Sequence, residues 1–309
     1  MSEKKRLVTR SDFDGLVCAM LLRELDIIDD IKFVHPKDVQ DGKVELSSND
    51  ITTNLPFDPR VGLAFDHHES ELIRLKKEQY EGRYYIDPDA RSAARVVYDY
   101  YGGKDTFKRI SEEIMTAVDK GDSADFTVDE ILHPTGWVLL NYLMDPRTGL
   151  GRFRNFRISN YDLMMELIEY CLNHNIDEIL ELPDVKERVD LYWEQTELFK
   201  EQLQRIARIY DKVVVLDLRD EEVIYAGNRF MIYALYPETQ ISVHVAWGFR
   251  KQNTAVMIGK SIVNRASDFD IGALCLSYGG GGHRNAGTCQ LENDVVDEKL
   301  PDIIRALNG

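Results

Sequence analysis

Two short runs near the start of the chain have the residue types and spacing of a metal site. Asp12 and Asp14 are separated by one residue, so in extended backbone both carboxylates point the same way and can reach one cation or two adjacent ones. Asp66, His67 and His68 are consecutive. Imidazole is a ligand for manganese, iron or zinc, and a neighbouring carboxylate can orient it. Alone, the acidic pair also fits a helix N-terminus stabilised by the helix dipole, but the triplet favours a divalent-metal site.

A third acidic run offers a further metal ligand. Asp119 and Asp122 lie at the end of a predicted helix, in the run VDKGDS. Either carboxylate could complete a carboxylate-rich site. Acidic residues followed by glycine are also common at helix ends without a function, so the run alone does not choose between these interpretations.

Near the C-terminus, a glycine-rich run precedes two cationic side chains. The sequence GGGGHRNAG places His283 and Arg284 directly after four glycines. Glycine lets backbone N–H groups approach anionic oxygens closely, and histidine and arginine can donate charged hydrogen bonds. A flexible hairpin is the alternative, but the adjoining His-Arg pair favours a phosphate site. In this predicted phosphate site, the glycines that would bind substrate are Gly280, Gly281 and Gly282.

A basic segment, DPRTGLGRFRNFR, stands out in an otherwise acidic chain. Its four arginines are Arg147, Arg152, Arg154 and Arg157. They could meet the phosphates of a substrate while Phe153 or Phe156 stacks on a base. A solvated loop that neutralises nearby acidic surface explains the segment equally well.

The first half of the chain alternates predicted strands with predicted helices. Strands are predicted at 6–9, 31–34, 50–53 and 61–65, and helices at 16–25, 90–101 and 111–118. This alternation predicts an α/β fold, in which a parallel sheet carries helices on both faces. Ligands of such sheets gather at the carboxyl ends of the strands, where both Asp12 and Asp66 fall.

The second half changes character after a helical stretch over 162–211. Strands are predicted at 213–216, 230–236, 241–247 and 254–262, and a helix at 271–278. We therefore expect an N-terminal metal-binding domain over 1–190, a linker helix over 191–210 and a smaller C-terminal α/β domain over 211–309.

The charge balance limits the class of partner. The 309 residues include 38 Lys and Arg against 54 Asp and Glu, a formal net charge of −16. Such a field repels nucleic-acid backbones and anionic membranes, so binding to long duplexes or to a membrane is not expected. A small phosphorylated substrate remains compatible, because a metal and a few arginines can reverse the sign locally.

Cysteine usage and hydropathy indicate the compartment. The four cysteines are far apart with no CxxC pair, and no apolar stretch approaches the ~18 residues of a membrane span. The N-terminus has no signal-like apolar run. We expect a cytoplasmic protein with free thiols.

Taken together and in this order, SDFDG, FDHHES and GGGGHRNAG resemble the motifs of the DHH phosphoesterase superfamily. The similarity is to the branch with a C-terminal DHHA1 domain, which includes nanoRNase-type oligoribonucleases and exopolyphosphatase-like proteins. It covers nearly the whole chain. It implies an N-terminal DHH domain, a helical linker and a DHHA1 domain.

The resemblance also implies roles for individual residues. It implies hydrolysis by a metal-activated water, usually at paired Mn²⁺ ions; one or two ions, and Mg²⁺ or another divalent ion, are compatible with it. The implied metal ligands are Asp12, Asp14, His67 and Asp122. The implied residues around the reacting phosphate are His68, supported by Asp66, together with His283 and Arg284 of the glycine motif.

Two positions depart from the family pattern. Arg10 stands where many relatives have a histidine just before the acidic pair. The family also has an aspartate in its second motif that bridges two metal ions, and the residue best placed to match it here is Asn54. A neutral amide bridges two dications less well than a carboxylate. The chain is thus expected to bind one ion tightly and a second weakly, or to have lost activity, with the guanidinium of Arg10 in place of the missing cation.

The expected function is metal-dependent hydrolysis of short phosphodiesters, such as an oligoribonucleotide or a linear dinucleotide, in a cleft between the domains. Phosphoanhydride hydrolysis of polyphosphate and non-catalytic nucleotide binding are the alternatives. Base stacking on Phe153 or Tyr278 would favour the nucleotide, and a purely basic groove would favour polyphosphate. A homodimer is compatible with the sequence.

Overall fold

The structure, a computed structural model, describes residues 4–78 and 82–309. Its contacts divide the chain into two compact units. The N-terminal unit comprises the described residues up to Asp125 and the segment Pro134–Asp190. The C-terminal unit comprises Phe126–His133 and Leu191–Gly309.

The described residues form eleven strands and thirteen α-helices. The strands are β1 (Lys5–Arg10), β2 (Ile28–Val34), β3 (Asp50–Thr53), β4 (Leu63–Asp66), β5 (Tyr84–Ile86), β6 (Ala207–Tyr210), β7 (Val213–Asp217), β8 (Ile241–Trp247), β9 (Thr254–Lys260), β10 (Gly281–His283) and β11 (Ala286–Leu291). The helices are α1 (Phe13–Glu24), α2 (Pro36–Gln40), α3 (Glu69–Glu78), α4 (Ala93–Tyr100), α5 (Glu112–Asp122), α6 (Val128–Leu132), α7 (Gly136–Met144), α8 (Asn160–Asn173), α9 (Ile176–Glu181), α10 (Pro183–Ile206), α11 (Met231–Leu235), α12 (Ile271–Ser277) and α13 (Val296–Asn308).

The N-terminal unit is built on a parallel sheet with strand order β2-β1-β3-β4-β5. Thr9 of β1 lies opposite Thr53 of β3, which lies opposite Phe65 of β4. The residues that follow these three positions therefore meet at one edge of the sheet, because the strands are parallel and end at the same level. This confirms the predicted α/β fold.

Apolar side chains cover both faces of this sheet. On one face, Val8 and Ala64 pack in a buried cluster with Val39 of α2 and Leu75 of α3. On the other face, α1 packs beside β1, α4, α5 and α8. Every residue from Phe13 to Leu22 is buried, so α1 is a central helix with apolar residues on all sides.

Capping side chains set the start of the helices that reach the sheet edge. Asp12 caps α1, Ser92 caps α4 and Ser111 caps α5, each by accepting a hydrogen bond from the backbone N–H three residues later. Such caps stabilise a helix start by ~1 kcal/mol. The starts of α1 and α4 are the two that matter for the site.

The C-terminal unit contains a mixed sheet with strand order β10-β11-β9-β8-β7-β6. Strands β7 and β8 are parallel, and the remaining pairs are antiparallel. Its core joins alternate residues of β8, among them Val243 and Val245, to Ile271 of α12 and Ile303 of α13. The alternation along β8 is the period of a strand with one face in the core.

Two predictions for this half differ from the structure. The strand predicted at 230–236 was wrong, because Met231–Leu235 forms helix α11. Four consecutive residues of α11 are buried, and a continuous apolar run does not distinguish a buried strand from a buried helix. The helix predicted to reach 211 ends at Ile206, because Ala207–Tyr210 pairs with β7 as strand β6.

Two further predictions concern the compartment. All four cysteines are free thiols. Within the residues that the structure describes, no helix combines the length and the apolar character needed to cross a bilayer.

Candidate metal centre

Asp14 is buried and held from three sides. Its Oδ1 accepts a hydrogen bond from Ala94 N at 2.8 Å, and its Oδ2 accepts from Ala93 N at 3.1 Å. The amide Nδ2 of Asn54 also donates to Oδ2, at 2.8 Å. Ala93 and Ala94 begin α4, so the carboxylate lies at a helix N-terminus, where backbone N–H groups and the helix dipole favour negative charge.

The backbone between β1 and α1 brings Asp14 to this position. A Cβ at Gly15 would lie 2.0 Å from the carbonyl oxygen of Arg10, so only glycine fits this turn. Asp12 stabilises the same turn, because its Oδ1 accepts a hydrogen bond from Gly15 N at 3.0 Å.

His67 points one buried ring nitrogen at the carboxylates of Asp14 and Asp122. Its Nδ1 lies 3.3 Å from Ala90 O, which orients the ring and leaves a lone pair on Nε2 in the tautomer that donates to the carbonyl. Nε2 is buried, has no hydrogen-bond partner and lies 2.8 Å from Oδ2 of Asp122. One ligand atom from each of Asp14, His67 and Asp122 lies within 4.8 Å of the others.

This cluster has an excess of buried negative charge. Burial, together with neighbouring Asp122 and Asp12, raises the pKa of Asp14 well above its ordinary value. Burial lowers the pKa of His67, but the carboxylates around it, Asp122 first, raise that pKa to about 9. Burial acts to raise the pKa of Asp122, yet the pairing with His67 lowers it overall. A divalent cation would supply the missing positive charge, so these residues fit a metal ion.

Asp66 makes a hydrogen bond to His68, the third residue of the Asp66-His67-His68 triplet. Its Oδ1 accepts hydrogen bonds from the backbone N–H of His67 at 2.8 Å and from Nδ1 of His68 at 2.7 Å. Asp66 itself is buried, whereas the side chain of His68 is 40% exposed. The carboxylate thus fixes the ring of His68 with Nε2 directed away from Asp66. Asp66, His67 and His68 also form a group with three mutually close ligand atoms.

Comparison with known proteins gives one close match. No family model matches the sequence, and no curated protein matches it. Among solved structures, the chain is similar to PggH, a pGpG-specific phosphodiesterase from Vibrio cholerae, with 57% sequence identity, 99% of each chain covered and a TM-score of 0.86. The chain belongs to the DHH phosphoesterase superfamily.

More distant structures add no functional argument. RecJ from Thermus thermophilus, in complex with Mn²⁺, is 13% identical with a TM-score of 0.47, and the match covers 98% of this chain and 52% of that one. CDC45 from Entamoeba histolytica is 7% identical with a TM-score of 0.48, over 99% and 96% of the two chains. As a DHH phosphoesterase, the protein is a hydrolase.

The structure separates the two aspartates at the end of α5. Asp122 lies with Asp14 and His67. Asp119 instead accepts hydrogen bonds from Ser92 Oγ at 2.7 Å and from Nη2 of Arg95 at 2.7 Å. Both of these partners are at the start of α4. Asp119 therefore fixes the helix whose N-terminus holds Asp14. Sequence reasoning did not identify this support, although Ser92 as a helix cap was readable from the sequence.

The two departures from the DHH pattern both lie at the cluster. Nε of Arg10 is 2.9 Å from Oδ2 of Asp12 in an ion pair. Asn54 follows β3 with φ +55°, a left-handed conformation that asparagine tolerates, and its buried Oδ1 has no hydrogen-bond partner. Burial raises the pKa of Asp12, and the guanidinium groups of Arg10 and Arg147 oppose that rise.

The four arginines of the basic segment make different contacts. Arg147 donates from Nε to Asp145 at 2.7 Å, and Arg152 donates from Nε to Gly149 O at 3.1 Å. Arg157 pairs with Asp184 at 3.4 Å. Arg154 has no ion-pair partner among the described residues and lines a cavity of about 220 Å³.

Phenylalanines line the same cavity. Phe153 and Phe156 are both half-buried and belong to its wall. The guanidinium of Arg188 stacks over the ring of Phe156 at 4.0 Å. Tyr161, next to this cavity in sequence, donates to Ile31 O of β2 at 3.1 Å. The start of α8, which follows the segment, is thus attached to β2.

In the C-terminal unit, the glycine motif forms the β10–β11 hairpin. A Cβ at Gly280 would lie 2.2 Å from Thr288 O, and one at Gly282 would lie 2.4 Å from Ala286 O. A Cβ at Gly281 would meet no atom within 4 Å. His283 and Arg284 are exposed, and Arg284 donates from Nη2 to Asp268 O at 3.1 Å. Close packing of the hairpin therefore explains Gly280 and Gly282, but not Gly281.

Proposed function

We propose that this DHH phosphoesterase hydrolyses a linear dinucleotide, with pGpG as the first candidate. The observation that carries the proposal is the convergence of Asp14, His67 and Asp122, with the buried Nε2 of His67 among carboxylates and 2.8 Å from Asp122. The relative that shares 57% of its sequence over 99% of both chains is a pGpG-specific phosphodiesterase. Specificity is a property of side chains, and this degree of identity supports transfer of the substrate class.

The proposed ion is held by Asp14, His67 and Asp122. Two carboxylates and one imidazole suit Mn²⁺, with Mg²⁺ or another divalent ion as the alternative. When bound, the ion stabilises negative charge on the phosphate and lowers the pKa of a water molecule. The amides of Ala93 and Ala94 hold the Asp14 carboxylate in place for this ion.

His68 is the proposed proton donor. Asp66 accepts the Nδ1–H of His68 and orients the ring, which leaves Nε2–H to be donated. As water oxygen attacks phosphorus and the P–O3′ bond breaks, the leaving 3′ oxygen takes this proton. Two mononucleotides result, and His68 recovers its proton from the attacking water through solvent.

The glycine motif is proposed to bind phosphate in the C-terminal unit. Gly281 has free space around it and an exposed backbone, so a phosphate oxygen can approach its N–H closely. The exposed side chains of His283 and Arg284 can add charged hydrogen bonds. This site would contribute substrate affinity and orientation, not metal binding.

The cavity beside Arg154 favours a nucleotide over polyphosphate. Polyphosphate has no apolar part, whereas Phe153 and Phe156 supply aromatic faces next to a cationic group. A purine base stacks on such faces, and arginine can donate to the O6 and N7 acceptors of guanine. Arg152 is turned to its own chain at Gly149 and is the weaker substrate-binding candidate.

A substrate panel tests this function. The purified protein with Mn²⁺ is given pGpG, pApA, a five-residue oligoribonucleotide and polyphosphate, and the products are separated by anion-exchange chromatography. We expect the highest kcat/KM for pGpG, with GMP as the product, and no product from His67→Ala. Faster release of phosphate from polyphosphate would contradict the proposal, and nucleotide binding without any product would support a binding protein instead.

A further inference from the structure

The two sides of the acidic cluster differ in the charge that their carboxylates face. On one side, Asp14, His67 and Asp122 each offer one ligand atom, and these atoms lie within 4.8 Å of one another. Asp12 faces Arg10: its Oδ2 is 2.9 Å from Nε of the guanidinium, and its Oδ1 accepts the hydrogen bond from Gly15 N. Asp12 therefore faces a cationic side chain, and it is not a member of the group formed by Asp14, His67 and Asp122.

Charge balance on the two sides differs in the same way. The Asp12–Arg10 pair is neutral. Asp14 and Asp122 leave two negative charges, which one divalent ion neutralises, with His67 as a neutral ligand. Asn54 adds an amide and no charge, and its Nδ2 already donates a hydrogen bond to Asp14. A second dication beside Asp12 would meet the positive charge of Arg10, and the amide of Asn54 would add no negative charge to offset that repulsion.

The guanidinium of Arg10 has donors to spare. Its contact with Asp12 is an ion pair through Nε, and within the described part of the chain no hydrogen bond of Nη1 or Nη2 is found. Its side chain is 27% exposed, against 12% for Asp12, so the carboxylate anchors the group from the buried side. A guanidinium presents its N–H groups as a planar fork that matches two oxygens of a phosphate.

We propose that the protein holds a single divalent ion, at Asp14, His67 and Asp122, and that Arg10, anchored by Asp12, binds the reacting phosphate in place of a second ion. Asp12 is then a positioning residue for Arg10 and not a metal ligand. The inference rests on the proposed function only in that both place the ion at the same three residues. Arg147 adds a second guanidinium near Asp12.

Counting bound Mn²⁺ tests the first half of this proposal without reference to activity. Titration of the protein with Mn²⁺, followed by the electron paramagnetic resonance signal of the free ion, should give one ion per chain. Asp12→Asn should keep that ion with an affinity within about threefold of wild type, whereas Asp14→Asn should weaken it at least ~10-fold. Two ions in the wild type, or loss of the ion in Asp12→Asn, would overturn the proposal.

Arg10→Ala tests the second half. We expect unchanged Mn²⁺ stoichiometry and a loss of about thirtyfold in pGpG affinity, measured as KM and as binding to the His68→Gln protein, because a charge-assisted contact is removed. Arg109→Ala is the matched control, since Arg109 pairs with Glu24 at 2.9 Å on the surface. Unchanged affinity in Arg10→Ala would refute the phosphate-binding role.

A double variant sharpens the result. Asn54→Asp alone should leave one ion, because Arg10 remains, and Asn54→Asp combined with Arg10→Ala should bind two, because a carboxylate is added and the cation removed. One ion in the double variant would mean that a feature other than Arg10 excludes the second, and would count against the proposal. If wild type fails to cleave pGpG but binds one ion as described, the proposed substrate is wrong and the single-ion half of this inference stands, whereas failure of pGpG to bind would overturn the role of Arg10.

Discussion

The proposed metal site (Asp14, His67 and Asp122) with its neighbour Asp66, and the glycine hairpin, position their side chains by opposite means. Asp14 is buried and accepts three hydrogen bonds, and Asp66 accepts two. In the hairpin, His283 and Arg284 are exposed, and the backbone is held by glycines that pack against neighbouring backbone. Buried carboxylates need hydrogen-bond donors from several elements to hold them, whereas the proposed anion site on the hairpin backbone needs close packing and open space at one position.

The largest expected effect comes from removing the buried ring nitrogen of His67 from the proposed metal site. His67→Ala should abolish Mn²⁺ binding and lower kcat/KM by ~1000-fold, because the ion contributes several kcal/mol to stabilising the transition state. Calorimetry with Mn²⁺ and kinetics with pGpG measure the two effects. The matched control is His174→Ala, since His174 is exposed and pairs with Glu178; equal behaviour of both variants would remove the proposed site.

The next effect separates metal binding from proton transfer within the same cluster. His68→Gln should lower kcat by ~100-fold, the usual contribution of a general acid, while KM and Mn²⁺ affinity stay near wild type. Asp66→Asn should lower kcat in the same direction, because the hydrogen bond to Nδ1 of His68 at 2.7 Å is weakened. A loss of Mn²⁺ binding in His68→Gln would assign this histidine to the metal instead.

In the hairpin, a cationic side chain should affect the substrate alone. Arg284→Ala should lower kcat/KM for pGpG by about thirtyfold, which corresponds to ~2 kcal/mol for a charge-assisted contact, with Mn²⁺ content intact. His283→Ala should act in the same direction. Arg305→Ala, which breaks only an exposed pair with Asp302 in α13, is the control. Wild-type kinetics in both hairpin variants would make the hairpin a structural element.

The smallest expected effect distinguishes packing from phosphate binding within the hairpin itself. Gly282→Ala should destabilise the protein by ~2 kcal/mol, because the added Cβ would lie 2.4 Å from Ala286 O and must displace backbone. Gly281→Ala should leave the free energy of unfolding within ~0.5 kcal/mol of wild type and lower kcat/KM by ~10-fold. Denaturant unfolding and kinetics measure both; a Gly281→Ala protein with full activity would place the phosphate elsewhere.

The elements that carry the site could be predicted from the sequence because their signals are local. β3 was predicted at 50–53 and lies there, and α1 begins where Asp12 caps it before a run of apolar residues. The strand expected at 230–236 could not be distinguished from helix α11, because both bury a continuous apolar run.

The sequence by itself determined the chemistry that this protein can perform: the ligand types, their order along the chain and their place at the ends of parallel strands. Only the tertiary structure decided which ligands meet. Asp119 and Asp122 are three residues apart on one helix, yet Ser92 and Arg95 engage the first, and only the second reaches His67. Likewise, Arg10 faces Asp12 and Asn54 faces Asp14. These pairings join residues from separate elements, and packing, which no local pattern encodes, sets their distances.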